Sequence, residues 1–175
     1  MEDLRYPIGT FSLPESTTAD QRQEWIRDLA QAPTQLRAAV AGLTPEQIET
    51  PYRPGGWTVR QVIHHVPDSH LNSYCRFRLA LTEENPPIKA YNEAMWAELY
   101  DARTGPVEPS LRLLESLHTR WVCLLVSLSE DDWSRTFHHS DFGPVRLDAN
   151  LALYAWHSRH HTAHIQGLRD RMGWK

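Results

Sequence analysis

The last quarter of the chain contains a cluster of histidines. Residues 157–164 read His-Ser-Arg-His-His-Thr-Ala-His, so four of the ten histidines fall within eight positions. Two histidines four residues apart project side by side from adjacent turns of a helix and can offer two nitrogens to one metal ion. His157 with His161 and His160 with His164 are both such pairs. The cluster therefore indicates a metal site, with a solvated histidine face or core histidines bonded to the backbone as the alternatives.

A helical wheel distinguishes between the two pairs. The segment from about 148 to 172 has no proline and carries apolar residues at helical intervals, which predicts a helix. Relative to His157, His161 lies about 40° to one side and His164 about 20° to the other, inside the apolar arc. Because buried imidazoles are costly without a partner for each nitrogen, a divalent cation would stabilise them. We therefore predict that His157 and His161 are ligands.

The third ligand must come from another part of the chain. Thr58 followed by Gln61 is typical of a capping box, so a second helix is expected to begin there. On that helix His65 lies near the edge of the apolar arc, whereas His64 lies much farther round. We predict His65 as the third ligand, and a half-solvated boundary histidine is the alternative.

Further polar residues are placed to support the ligands. A metal-bound histidine usually donates its second ring nitrogen to an acceptor, and Asp68 stands one turn from His65. His64, His160 and His164 are candidates for the same supporting role. An ordinary surface aspartate is an equally good interpretation of Asp68.

The elements that carry these residues are predicted to be helical. Four long amphipathic segments cover about 19–41, 58–82, 109–128 and 148–172, and a strand-like alternation is almost absent. The proline-rich stretch 83–108, with a short helix near 93–99, predicts a long crossover between the second and third of these helices. We expect an all-α four-helix bundle in one domain, residues 1–175, with an irregular segment over residues 1–17.

Composition restricts the possible functions. The net charge is −4 and basic residues form no block, which argues against binding to nucleic acid. An apolar run of membrane-spanning length and a secretory signal are both lacking, so we expect a cytoplasmic protein that does not bind membranes. Cys75 and Cys123 have neither metal-site nor disulfide spacing and are predicted to be small buried residues.

Three blocks of sequence resemble a known family. Gly56–His70, Leu81–Pro86 and Tyr154–Ile165 are similar to the signature blocks of the YfiT-type metal-dependent hydrolases in the DinB-like superfamily. The resemblance extends over nearly the whole chain. It implies a DinB/YfiT-like four-helix bundle, a cytoplasmic homodimer, and one zinc or nickel ion held by three histidines.

The resemblance also implies particular ligands. In the DinB pattern the first ligand lies eight residues after the tryptophan that opens the second helix, which is His65 here. The other two occupy the first and fifth positions of His-x-x-His-His, which are His157 and His161. The wheel predicts the same three residues. His164 stands where many DinB-like proteins carry glutamine.

Three histidines would leave coordination positions open, which is typical of a catalytic rather than a structural site. A water bound there loses a proton near neutral pH, which predicts a hydrolase acting on a small molecule. A metal-bound thiol is also activated, so a bacillithiol-type S-transferase that uses a low-molecular-weight thiol is the first alternative. A metal-binding bundle without catalysis is the second. Tyr91, Trp96 and Arg76 are candidates to line a substrate pocket.

Overall fold

The computed structural model describes residues 3–12 and 14–174. In chain order its helices are α1 (Ala19–Val40), α2 (Pro45–Ile48), α3 (Val59–Thr82), α4 (Glu93–Trp96), α5 (Tyr100–Thr104), α6 (Glu108–Leu125), α7 (Glu130–Ser134) and α8 (Leu147–Met172). Its strands are β1 (Pro87–Ile88), β2 (Thr136–His139) and β3 (Gly143–Arg146). Within the described ranges, no helix combines the length and apolarity needed to cross a membrane.

The four long helices, α1, α3, α6 and α8, form a bundle in which α1 does not pack on α3, the next long helix in the chain. Helix α1 packs on α6 and α8, and α3 packs on the same two helices, so α1 and α3 lie diagonally across the bundle. Helices α3 and α6 run in the same direction and are joined by the long connection over residues 83–107. The predicted bundle and its crossover are confirmed.

Capping boxes begin the helices where the sequence predicts them. At the start of α3 the amide of Gln61 donates to Oγ1 of Thr58 over 3.2 Å, and the amide of Thr58 donates back to Oε1 of Gln61 over 2.9 Å. These bonds satisfy amides that the first turn of a helix leaves without partners. The box therefore fixes the register in which α3 presents its histidines two turns later.

The interior of the bundle is divided into two apolar clusters. The first contains the early part of α8 and the late parts of α3 and α6, with Phe77, Trp121 and Leu151 at its centre. The second contains the opposite ends of these helices, with Ile63 and Ile165 fully buried. The four histidines of residues 157–164 lie between the two clusters along α8, and His70 lies between them along α3. Polar side chains thus form a layer across the middle of an apolar core.

A small sheet departs from the all-helical prediction. Strand β1, in the long crossover, pairs in parallel with β2, and β2 pairs antiparallel with β3 in the connection that precedes α8. Phe137 and Val145 point into the first apolar cluster. Strands of two to four residues are too short for a two-residue alternation to be recognised in a sequence. The sheet matters for the site because it places His139 beside the bundle.

The prediction for the two cysteines is wrong. Both Cys75 and Cys123 are exposed. Each stands two residues from a fully buried aromatic side chain, Phe77 in α3 and Trp121 in α6. Two residues correspond to about 200° around a helix, so these thiols face away from the core.

Candidate metal centre

The structure brings His65, His157 and His161 together from two helices. One ring nitrogen of each lies within 4.8 Å of those of the other two, and Nε2 of His65 is 3.2 Å from Nε2 of His157. Two nitrogens that each bind a tetrahedral zinc ion at about 2.05 Å stand about 3.3 Å apart. The spacing of this pair therefore fits two ligands of one ion.

Burial keeps the three rings neutral. Burial lowers the pKa of His65 to about 4 and lowers those of His157 and His161 well below the usual value, and neighbouring histidines, including His164, lower all three further. Each ring then carries one proton near neutral pH and keeps one nitrogen lone pair. A metal ion requires such a lone pair, so the charge state suits coordination.

A chain of hydrogen bonds determines which nitrogen of His157 is protonated. Nδ1 of His157 is 3.1 Å from Nε2 of His70, Nδ1 of His70 is 2.8 Å from Nε2 of His118, and Nδ1 of His118 is 2.5 Å from the carbonyl oxygen of Leu29. That carbonyl can only accept, so His118 must donate from Nδ1 and accept at Nε2. His70 therefore donates from Nδ1 to His118 and accepts at Nε2, so His157 donates to it from Nδ1. Nε2 of His157 is left with a lone pair, 3.2 Å from Nε2 of His65.

A shorter chain acts in the same way on His161. Nε2 of His164 donates to the carbonyl oxygen of Arg5 over 3.0 Å, so Nδ1 of His164 accepts. This nitrogen is 3.4 Å from Nδ1 of His161, which holds its proton there. Nε2 of His161 is therefore also unprotonated. Both predicted ligands of α8 thus have their tautomers set by backbone carbonyls of the N-terminal part of the chain.

A second group of histidines is also close enough to hold an ion. One ring nitrogen of each of His160, His161 and His164 also lies within 4.8 Å of those of the other two, and all three residues come from α8. Nε2 of His164, however, donates to the carbonyl oxygen of Arg5. Nε2 of His161 can bind an ion in only one of the two groups. The first group offers free nitrogens from two helices, so it fits a metal ion better than the second.

A cavity of about 430 Å³ lies over the first group. Its lining includes His65, His157, His160 and His161, with Trp57 and Trp156 as aromatic walls. This volume falls in the range of pockets that bind small molecules. Of the predicted lining residues, Tyr91 and Arg76 contact the cavity, whereas Trp96 packs against the ring of Tyr91 outside it.

Two predicted supporting residues are directed elsewhere. His64 lies 2.7 Å from Oγ of Ser110 through Nδ1 and contacts the carbonyl of Gly105 through Nε2. In the part of the chain that the structure describes, the carboxylate of Asp68 makes no hydrogen bond to a ligand histidine. Burial, followed by the charge of Asp101, raises the pKa of Asp68 to about 6. Neither side chain orients a ring of the first group.

Of the histidines that contact the predicted ligands, His164 was predicted in a supporting role, whereas His70 and His118 were not. The structure buries His70 and His118 at 2% exposure or less. His118 lies on the same stripe of α6 as Leu114 and Trp121, so the wheel argument applied to α8 would have predicted its burial. Its bond to His70 joins two helices and has no signal in local spacing.

Comparison with known proteins identifies the family of this chain. The family model described as the DinB superfamily matches residues 19–165. The chain belongs to the DinB superfamily. Proteins of Bacillus cereus strain AH820 and Bacillus anthracis strain CDC 684, each named "Putative metal-dependent hydrolase", are 55% identical to it over 99% of this chain and 100% of theirs.

One solved structure is similar throughout. YfiT from Bacillus subtilis, described as a probable metal-dependent hydrolase with an unusual four-helix bundle topology, is 49% identical and superimposes with a TM-score of 0.96. The match covers 98% of this chain and 99% of YfiT. This DinB-superfamily member therefore shares the bundle of YfiT over its whole length, as the resemblance of its sequence blocks predicts.

Proposed function

We propose that this protein is a metal-dependent hydrolase in which His65, His157 and His161 hold one divalent ion, zinc or nickel. The observation that supports this most strongly is the pair of hydrogen-bonded chains that leave Nε2 of both α8 histidines unprotonated beside Nε2 of His65. The names of the relatives from Bacillus support the same class of reaction.

Three protein ligands would leave coordination positions free for a water or a substrate, and the three histidines line the cavity. When bound, such an ion lowers the pKa of a coordinated water and polarises a substrate carbonyl, which are the two requirements of ester or amide hydrolysis. The protein residues provide orientation and exclusion of solvent. Trp57 stands 4.6 Å from the ring of His65, and Trp156 stacks on His160 at 4.3 Å. These indoles cover the histidines, and His70 holds the proton of His157 at Nδ1.

Metal content tests the ligand assignment. We expect about one zinc or nickel ion per chain in protein purified without chelator, and we expect both His65→Ala and His161→Ala to lose it, because two remaining ligands bind weakly. Plasma mass spectrometry on purified protein measures this. His138→Ala is the matched control, since His138 lies exposed on β2. Metal retained by both ligand variants would show that the ion binds elsewhere.

Turnover distinguishes the hydrolase from the first alternative. We expect the metal-loaded protein to hydrolyse a panel of activated esters and amides in water alone, with loss of activity on chelation and recovery on adding the ion. Activity that requires an added low-molecular-weight thiol would replace the hydrolase with an S-transferase. A bound ion without turnover in either assay would favour the metal-binding bundle without catalysis.

A further inference from the structure

Arg76 is a buried cation that the protein does not neutralise. Only 8% of this residue is exposed, and it lines the cavity that contains the three histidines. Among the residues that the structure describes, no carboxylate forms an ion pair with it and no aromatic ring lies beneath it. A guanidinium stays protonated, and a buried charge without a partner is costly. An anionic group entering the cavity would compensate for that cost.

The helix places Arg76 on the same face as the metal ligands. Eleven residues separate it from His65, which corresponds to a rotation of about 20° and a rise of about 16 Å along α3. Ser69 lies between them on this face and also lines the cavity. Because long side chains lean toward the N-terminus of a helix, the guanidinium stands roughly 10–15 Å from the three histidines. One cavity therefore has a histidine end and a cationic end.

His139 adds a hydrogen-bond donor at the cationic end. Its ring lines the same cavity, and its Nδ1 accepts from the amide of Asp141 over 3.2 Å. Burial lowers the pKa of His139, and the nearby charge of Arg76 lowers it further, so the ring is neutral near pH 7. A neutral ring that accepts at Nδ1 carries its proton on Nε2. Phe142 covers the ring, with 4.9 Å between the two centroids.

We propose that Arg76 and His139 form a subsite that binds a carboxylate group of the substrate, roughly 10–15 Å from the group that reacts at the three histidines. One guanidinium balances one negative charge, whereas a phosphate monoester carries nearly two. The exposed carboxylates of Glu93 and Asp141 on the wall of the cavity further disfavour a second negative charge on the ligand. The inference rests on the proposed function only in taking the histidine end as the reaction centre.

The test compares a charged ligand with a neutral one of the same length. Monomethyl sebacate has one carboxylate and one ester at the ends of a ten-carbon chain, and dimethyl sebacate has two esters. Trp57 and Trp156 line the cavity, so binding is followed by their fluorescence. We expect the protein to bind the monoester at least tenfold more tightly than the diester, because only the monoester pairs with the guanidinium. Equal binding of the two compounds, or no binding of the monoester, would overturn the subsite.

Variants then locate the effect. Arg76→Met should abolish the preference for the monoester while retaining an apolar stem, and Arg76→Lys should keep part of it. Arg78→Met is the matched control. This substitution removes the same charge from the same helix, but Arg78 is exposed and lies outside the cavity. If Arg76→Met keeps the full preference, the proposal is wrong.

Thermal unfolding checks that Arg76 is not a structural residue. Without ligand, Arg76→Met should unfold at or above the temperature of the unchanged protein, because the substitution removes an unpaired buried charge. A midpoint lower by several degrees would indicate a structural partner and count against the subsite. The two proposals can fail separately. If the monoester binds in a way that depends on Arg76 but no hydrolysis is found, the proposed function is wrong and the carboxylate subsite stands.

Discussion

The free energy of unfolding of the metal-free protein should fall steeply as the pH is lowered from 6.5 toward 4. Seven histidines have a pKa that burial lowers to about 4 or well below the usual value: His65, His70, His118, His157, His160, His161 and His164. Below pH 6.5 these residues bind protons in the unfolded chain and not in the folded one. Each therefore removes about 1.4 kcal/mol of stability per pH unit until its folded pKa is reached.

The sign of this effect is specific to buried neutral histidines. Their contribution is complete above pH 6.5 and is lost on acidification, whereas Asp28 and Asp68, whose pKa burial raises, act in the opposite direction. Urea unfolding at half-unit steps of pH between 7 and 5 measures the slope. Most carboxylates do not titrate in that window. His118→Phe should reduce the slope by about one proton, and the exposed His138→Phe should leave it unchanged. A flat profile would show that the rings are charged or solvated.

His118→Phe should weaken metal binding although His118 contacts no ion. The phenyl ring retains the packing against Trp121 and His70 but removes both nitrogens, so Nδ1 of His70 loses its acceptor and the carbonyl of Leu29 loses its donor. The proton of His157 is then no longer held at Nδ1. Loss of such a partner typically reduces metal affinity 10–100-fold. Competition with a chromogenic chelator measures the dissociation constant.

A double substitution tests whether the effect passes along the chain of rings. If His118 acts only through His70, the variant with both His70→Phe and His118→Phe should lose no more affinity than His70→Phe alone. Losses that simply add would mean that the two rings act separately. The exposed His138→Phe again serves as the control, with unchanged affinity expected.

Much of the site follows from helical periodicity. The apolar arc of the last helix selects His157 and His161 over the overlapping pair, and a capping box at Thr58 sets the register that turns His65 toward them. Each inference needs only residues within a few turns of one helix, and the structure places the three rings close together. The bundle and its crossover were predictable for the same reason.

The remaining parts depend on contacts between distant segments. Arg5 and Leu29 act through their backbone carbonyls, so the identity of their side chains gives no signal. Arg76 was predicted only as a candidate lining residue, because a sequence does not reveal whether a charged side chain has a partner. His139 reaches the cavity on a strand too short to be recognised. The local sequence pattern therefore predicts which face of a helix carries a side chain, but it does not predict the distant group that the side chain contacts.

The diagonal placement of α1 and α3 has a consequence for how the chain folds. Because α1 and α3 do not pack on each other and α3 runs parallel to α6, neither pair forms an antiparallel hairpin that could fold by itself. During synthesis, α1 and α3 leave the ribosome with their apolar faces uncovered until residue 108 and beyond have been made. We expect slow folding for a helical protein, governed by contacts of high sequence separation, and a need for protection of the nascent chain over that interval.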